Sequence, residues 1–265
     1  MNKSLTLEEI LPNGRGVWIP IDHGVSDYPV SGLGNLEQLI TDLIAAEVDV
    51  IIAHKGVVSY YNHLCEGTKT KMVIHLSAST THGGGDSDNK VLVGDAKEAV
   101  KRGAVGVSCQ VNTGSVGERE MIKSMGKLSK QANKLDIPMF GMVYARGENL
   151  NVQENDKTKG YAHAARLAFE LGCDAAKTVW TGDKESFATI CSSVPIPLLV
   201  AGGPSTGDTK AILTMVKDAL DCGAAGVCMG RQVFGHEKVK QLAKALTLLV
   251  HQNKSVAEAM EACSL

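Results

Sequence analysis

DAAKTVW at 174–180, PLLVAGG at 197–203 and AGVCMGR at 225–231 decide the fold. Each is a short, nearly continuous apolar run, without the polar alternation of a sheet that keeps one face wet. Between the second and third, Ile212, Met215, Val216 and Leu220 fall at i, i+3, i+4 and i+8, the stripe of an amphipathic helix. A strand buried on both faces, a crossover helix and another such strand form a parallel unit. Glycines in ELGCD (170–174) and DCGAAG (221–226) mark the helix-to-strand turns, where a residue of positive φ ends the helix.

Similar runs recur upstream: VWIPI (17–21), VDVIIAH (48–54), MVIHLS (72–77), AVGVSCQ (104–110) and MFGMVY (139–144). The total is eight strands. Leu36, Leu39, Ile40, Leu43 and Ile44 give a helix after the first, and Val239, Leu242, Ala243, Leu246, Leu249 and Val250 predict a terminal helix packed on the closed barrel. The 265 residues suit one (β/α)₈ TIM barrel, an α/β fold of roughly 250 residues. No Pro/Gly/Ser linker cuts the alternation, so residues 1–265 read as a single domain. The longest irregular stretch, SASTTHGGGDSDNKV (77–91), reads either as a lid over the site or as a tolerated surface insertion.

Composition narrows the function. A net charge of −2 offers no bulk attraction for nucleic acid or an anionic membrane, although a local basic pocket still suits one phosphate. The N-terminal MNKSLTLEEILPNGRG lacks a signal peptide's apolar core, and no segment has the apolar length of a membrane span, so the chain reads as cytoplasmic. Seven scattered cysteines without CxxC spacing argue against disulfides and structural zinc. Cys109, Cys173 and Cys228 sit in or beside apolar runs and read as small buried hydrophobes.

In such barrels the chemistry lies at the C-terminal strand ends. Here those ends carry Asp22 and His23, His54 and Lys55, Tyr144 and Arg146, Gly202 and Gly203, and Gly230 and Arg231. The loops after strands seven and eight of these barrels often bind phosphate through backbone N–H groups, so the two glycine pairs with Arg231 point to a phosphorylated ligand. Ser205 or Thr206 would cap the next helix or touch that ligand. Lys177 lies within an apolar strand, where desolvation is expected to push its amine toward neutrality and nucleophilicity. Lys55 is the rival amine, and the residues alone do not separate the two. Asp22 and Tyr144 would face the same cavity and relay protons. His23, His54 and His75 lack ligand spacing and matching carboxylates, so hydrogen bonding or packing is preferred to a metal. Trp180 and Arg146 shape the entrance or pack at the rim.

Together IPIDHGVS, AHKGVV, IHLS, MVYARGENL, AAKTVWTGD, VAGGP and GAAGVCMGRQVFGHEKV resemble the archaeal-type class I aldolase family, from about residue 17 to the terminal helix. That family includes fructose-bisphosphate aldolase and 2-amino-3,7-dideoxy-D-threo-hept-6-ulosonate synthase. The resemblance implies Lys177 as the Schiff-base lysine, Tyr144 and Asp22 as acid/base residues, and phosphate or substrate contacts from Gly202, Gly203, Gly230, Arg231, His23 and Arg146. Ala145 stands where relatives commonly have proline. Met142 stands where the fructose-bisphosphate aldolases tend to have tryptophan and the heptulosonate synthases methionine.

The implied reaction begins with attack of Lys177 on a phosphorylated ketose or dihydroxyacetone phosphate, and the resulting enamine adds to an aldehyde resembling aspartate semialdehyde. No metal and no other cofactor is needed, since the iminium activates the carbonyl. The product would feed aromatic-compound biosynthesis. Relatives form large homo-oligomers, so the resemblance implies a homo-oligomer for this chain, with a decamer as one expectation. The alternatives are fructose-bisphosphate cleavage, a thiolase-like acyl transfer on the same lysine, and a non-catalytic sugar-phosphate sensor.

Overall fold

The computed structural model describes residues 2–150, 157–203 and 207–265. Eight parallel strands close a barrel: β1 (Gly16–Pro20), β2 (Val50–Ala53), β3 (Lys71–His75), β6 (Gly106–Thr113), β7 (Met139–Ala145), β8 (Ala175–Val179), β9 (Leu198–Ala201) and β10 (Gly226–Cys228). Around the barrel the order is β1-β10-β9-β8-β7-β6-β3-β2, so every strand pairs with its neighbour among the eight in sequence and the last closes on the first. Each expected strand is present, displaced by no more than three residues at either end. Two further short strands, β4 (Ser77–Ala78) and β5 (Val91–Leu92), pair antiparallel outside the barrel.

Helices α1 (Lys3–Ile10), α2 (Leu36–Ala45), α3 (Lys55–Tyr61), α4 (Ala96–Lys101), α5 (Glu118–Leu135), α6 (Lys157–Glu170), α7 (Lys184–Ser192), α8 (Thr209–Asp221), α9 (Arg231–Phe234), α10 (Val239–Gln252) and α11 (Val256–Cys263) complete the described chain. Asn35, Asp95, Asp183 and Asp208 cap α2, α4, α7 and α8 through side-chain oxygens, which fixes where each helix leaves the strand-end loop before it. Helix α10, expected from its stripe as the terminal helix but followed by α11, packs on β1, α2 and α8.

The pleat divides the core in two. Alternate residues such as Val17, Ile19, Ile51, Ile74, Val107, Ala176 and Val200 point outward under the helices and form the larger cluster. The intervening residues fill the lumen: Trp18, Val50, Ile52, Val73, Phe140, Met142, Ala175, Leu199 and Cys228. Trp18 and Phe140 pack with ring centroids 4.6 Å apart. Helix α1, which the sequence pattern does not announce, plugs the N-terminal mouth: Ile10 and Leu11 join the lumen cluster, and the Trp18 indole N–H donates to Ile10 O at 2.8 Å. With one end plugged and the middle packed, a cavity opens at the other end.

Candidate active site

The same alternation that buries Ala175 in the lumen turns Lys177 inward, two residues further along β8, beside Met142 and Leu199 in the strand register. It faces a cavity of about 390 Å³ at the C-terminal ends of the strands. All nine residues anticipated for the site line it: Lys177, Tyr144, Asp22, His23, Arg146, Gly202, Gly203, Gly230 and Arg231. Lys55 does not. Its ammonium turns away to Val93 O at 2.6 Å and to the Glu98 carboxylate at 3.1 Å, an ion-paired position at the start of α3. The two lysines thus differ in direction rather than in strand position: Lys177 enters the cavity and Lys55 leaves it.

The neighbours of Lys177 act against the desolvation expected from the sequence. Burial pulls its ammonium down, but Cys228, Tyr144 and Asp22 push the other way and prevail, holding it above the ordinary lysine value. Burial also pushes the Cys228 thiol up to about 11, so near neutral pH that neighbour is uncharged and Asp22 is the carboxylate facing the ammonium. Asp22 favours the ammonium and burial the free amine, so the nucleophile forms when a proton leaves the lysine. Composition could not show these neighbours, because Cys228 reaches the lysine from a strand two places away around the barrel.

Asp22 and His23 begin a 3₁₀ turn directly after β1. Burial pushes the Asp22 carboxyl up, but His75, His23, His54 and Lys177 together hold it below its usual value. His75 Nε2 lies 3.8 Å from Asp22, while its Nδ1 meets Ser108 Oγ at 2.8 Å. Burial lowers His75 to about 4 and also lowers His23 and His54, so all three stay neutral around the carboxylate near neutral pH. The His54 and His75 rings stand edge to face at 5.6 Å. Among the described residues, no three His, Cys, Asp or Glu side chains form a group able to hold a metal ion.

The glycine end is built by close approach. A Cβ on Gly230 would sit 2.6 Å from both Pro20 O and His23 Cε1, so only glycine lets β10 end against β1. Gly203 has φ +68° and open space around it. Gln232 Nε2 donates to Gly202 O at 3.0 Å and ties the two glycine loops together. Arg231 is exposed at their edge. Ser205 and Thr206 lie outside the described residues. Trp180 packs on Phe187 with centroids 5.0 Å apart and does not line the cavity.

On the opposite wall the structure adds residues that the strand-end reading missed. Strand β6 runs on to Thr113, so Gln110 and Asn112 point inward. Asn112 Oδ1 accepts from Gln110 at 2.8 Å and from Arg146 Nε at 2.9 Å, and the Arg146 guanidinium lies 4.3 Å over the Tyr144 ring. The stretch 77–91, expected as a lid or a surface insertion, forms part of the cavity wall. It is stapled by β4–β5 pairing, by Ser79 Oγ donating to Ser87 O at 2.5 Å and by Asn112 Nδ2 donating to Asp88 O at 2.6 Å, and it lends Ser77, Asp88 and Lys90 to the cavity wall. The alternation of β6 was the available signal, since polar residues at every second position of an otherwise buried strand must face a wet lumen.

A parallel barrel plugged at one end, with a lysine, a tyrosine and a carboxylate converging in a glycine-rimmed cavity at the other, defines an enzyme of the aldolase class. Residues 17–236 match the family model for DeoC/LacD family aldolases, and the chain belongs to that family. It is 37% identical over 235 residues to 2-amino-4,5-dihydroxy-6-oxo-7-(phosphonooxy)heptanoate synthase of Streptomyces griseus, covering 89% of this chain and 84% of the relative. It is 36% identical over 261 residues to 2-amino-3,7-dideoxy-D-threo-hept-6-ulosonate synthase 1 of Archaeoglobus fulgidus, covering 98% and 95%. Among solved structures, an archaeal fructose-1,6-bisphosphate aldolase with its catalytic lysine covalently bound to the carbinolamine intermediate superposes with TM-score 0.83 at 27% identity, covering 93% of this chain and 98% of that one.

Proposed function

We propose that this chain is a class I aldolase in which Lys177 forms a Schiff base with a phosphorylated ketone donor and the resulting enamine adds to an amino-acid aldehyde. The observation that carries the reading is Lys177 itself, half-buried beside Tyr144 and Asp22 in a cavity rimmed by glycine loops.

The relatives' names specify the chemistry. In a 2-amino-4,5-dihydroxy-6-oxo-7-(phosphonooxy)heptanoate the carbonyl is C6 and the β-hydroxyl is on C4, so aldol cleavage breaks C4–C5. The C5–C7 piece is dihydroxyacetone phosphate, and the C1–C4 piece is aspartate semialdehyde. The 3,7-dideoxy relative differs at C7, where no phosphate is named. The glycine loops and Arg231 favour the phosphorylated donor here.

In the condensing direction the Lys177 ammonium first loses a proton, with Asp22 the nearest carboxylate to receive it. The free amine adds to the donor ketone, and the carbinolamine loses the former carbonyl oxygen as water to give an iminium. Removal of the proton from the adjacent carbon, by Tyr144 assisted by Asp22, leaves the electron pair in an enamine. That carbon attacks the aldehyde, whose oxygen takes up a proton, and water releases the product from the lysine. The iminium serves as the electron sink, so the reading requires no further cofactor. Met142, beside Lys177 in the strand register, leaves room where a tryptophan would fill the cavity.

The large homo-oligomer implied by the resemblance belongs to the same proposal, and light scattering on the purified enzyme tests it. Among the described residues no helix is long and apolar enough to cross a membrane. Seven free thiols support the cytoplasm as its location. The activity test supplies dihydroxyacetone phosphate with aspartate semialdehyde in one reaction and fructose 1,6-bisphosphate in another. A C7 amino-keto acid phosphate identified by mass and NMR supports the proposal. Turnover of the bisphosphate without C7 product would reassign the donor and acceptor.

A further inference from the structure

The wall facing the glycine loops carries charge that the aldol steps leave unused. In the barrel order β9 and β10 stand across the lumen from β3 and β6, so Gly202, Gly203, Gly230 and Arg231 face the rim built from Asn112 and the return of the β4–β5 hairpin. That return brings Asp88 and Lys90 to the cavity. Lys90 is half-buried and donates to Ser79 Oγ, while Arg146 is fixed on Asn112. Among the described residues neither cation has a carboxylate at ion-pair distance. Burial and the nearby Arg146 hold the Lys90 ammonium below its ordinary value, against Asp88 and Asp22, which raise it.

Two like charges held at one rim by neutral partners repel each other, and an anion bound between them removes that cost. A second phosphate would nonetheless meet the Asp88 carboxylate at the same rim. A cation pair with an anion beside it complements a zwitterion. With the donor phosphate at the glycine end and its ketone on Lys177, the far end of the acceptor falls at this rim.

Building on the aldolase reading above, we infer that this rim is the acceptor subsite: Lys90, with Arg146, holds the α-carboxylate of the amino-acid aldehyde, and Asp88 holds its α-ammonium. Selectivity for the aldehyde therefore resides in the hairpin between β3 and β6 rather than in the catalytic residues.

The test measures kcat/KM with dihydroxyacetone phosphate as donor and three acceptors: aspartate semialdehyde, succinate semialdehyde, which lacks the ammonium, and propanal, which lacks both charges. In Lys90→Met the ratio of aspartate semialdehyde to propanal should fall at least tenfold, and in Lys90→Arg it should return to within threefold of wild type. In Asp88→Asn the ratio of aspartate semialdehyde to succinate semialdehyde should fall at least threefold. A Lys90→Met ratio within twofold of wild type overturns the carboxylate assignment, and an unchanged Asp88→Asn ratio overturns the ammonium assignment. Borohydride trapping of wild-type Lys177 by dihydroxyacetone phosphate alone separates the two levels. If trapping fails, the aldolase reading fails; if it succeeds while the ratios stay flat, only the acceptor subsite fails.

Discussion

Replacing His75 with glutamine should flatten the acid limb of the stability curve. The ring is 3% exposed, bonded through Nδ1 to Ser108 and aimed through Nε2 at Asp22. Burial lowers it from the ordinary 6.5 to about 4, even though Asp22 opposes the change. Because the folded value lies below the unfolded one, the unfolded chain takes up this proton first as pH falls. Stability is therefore lost between about pH 6.5 and 4, and the loss saturates below that window. At 1.36 kcal/mol per unit the loss is roughly 3 kcal/mol, a large part of the margin of an ordinary domain. His23 and His54 are lowered in the same sense and remain in the variant, whereas Asp22, also lowered, loses its contribution only below its unfolded value of 3.8. Urea midpoints followed by circular dichroism at constant ionic strength from pH 7.5 to 4 measure the effect. Wild type should lose about 3 kcal/mol more than His75→Gln across the window. Parallel curves would refute the reasoning, since they would mean that this buried ring titrates alike in both states.

Tyr144→Phe should leave the fold intact and lower kcat by about 10² to 10⁴, the usual yield of a positioned acid/base group, with KM for the donor much less affected. Gly230→Ala places a methyl 2.6 Å from Pro20 O and His23 Cε1, so the KM for the phosphorylated donor should rise at least tenfold and calorimetry should show a lower Tm. Trp18→Ala empties the lumen layer against Phe140 and frees the carbonyl of Ile10; it should cost about 3–5 kcal/mol in chemical denaturation while leaving the cavity residues in place.

Much of this arrangement is legible in the sequence because a parallel barrel leaves a strong trace: each strand is buried on both faces, and polar residues accumulate only where it ends. That logic locates Asp22, Tyr144 and the glycine pairs directly. It does not separate Lys177 from Lys55, since both lie on or beside strands, and only the path of the Lys55 side chain to Glu98 places it outside the cavity. Nor does it give the surroundings of Lys177, where Asp22 arrives from the end of a strand three places away to oppose the effect of burial. Strands β4 and β5 are two residues each, too short for a pleat period to register, so the cavity wall they carry reads as loop. Asn112 is overlooked for a different reason: the apolar criterion ends β6 at 110, while the pairing with β7 continues to Thr113, and Gln110, the last residue of the expected strand, passes as its polar end.

In the proposed mechanism Lys177 makes the covalent bond to substrate. Borohydride reduction during incubation with dihydroxyacetone phosphate, followed by peptide mass analysis, tests it most directly. The account predicts a single reduced adduct on the peptide containing Lys177, absent from Lys177→Met. An adduct on Lys55 or Lys90 instead, or turnover retained in Lys177→Met, would contradict it.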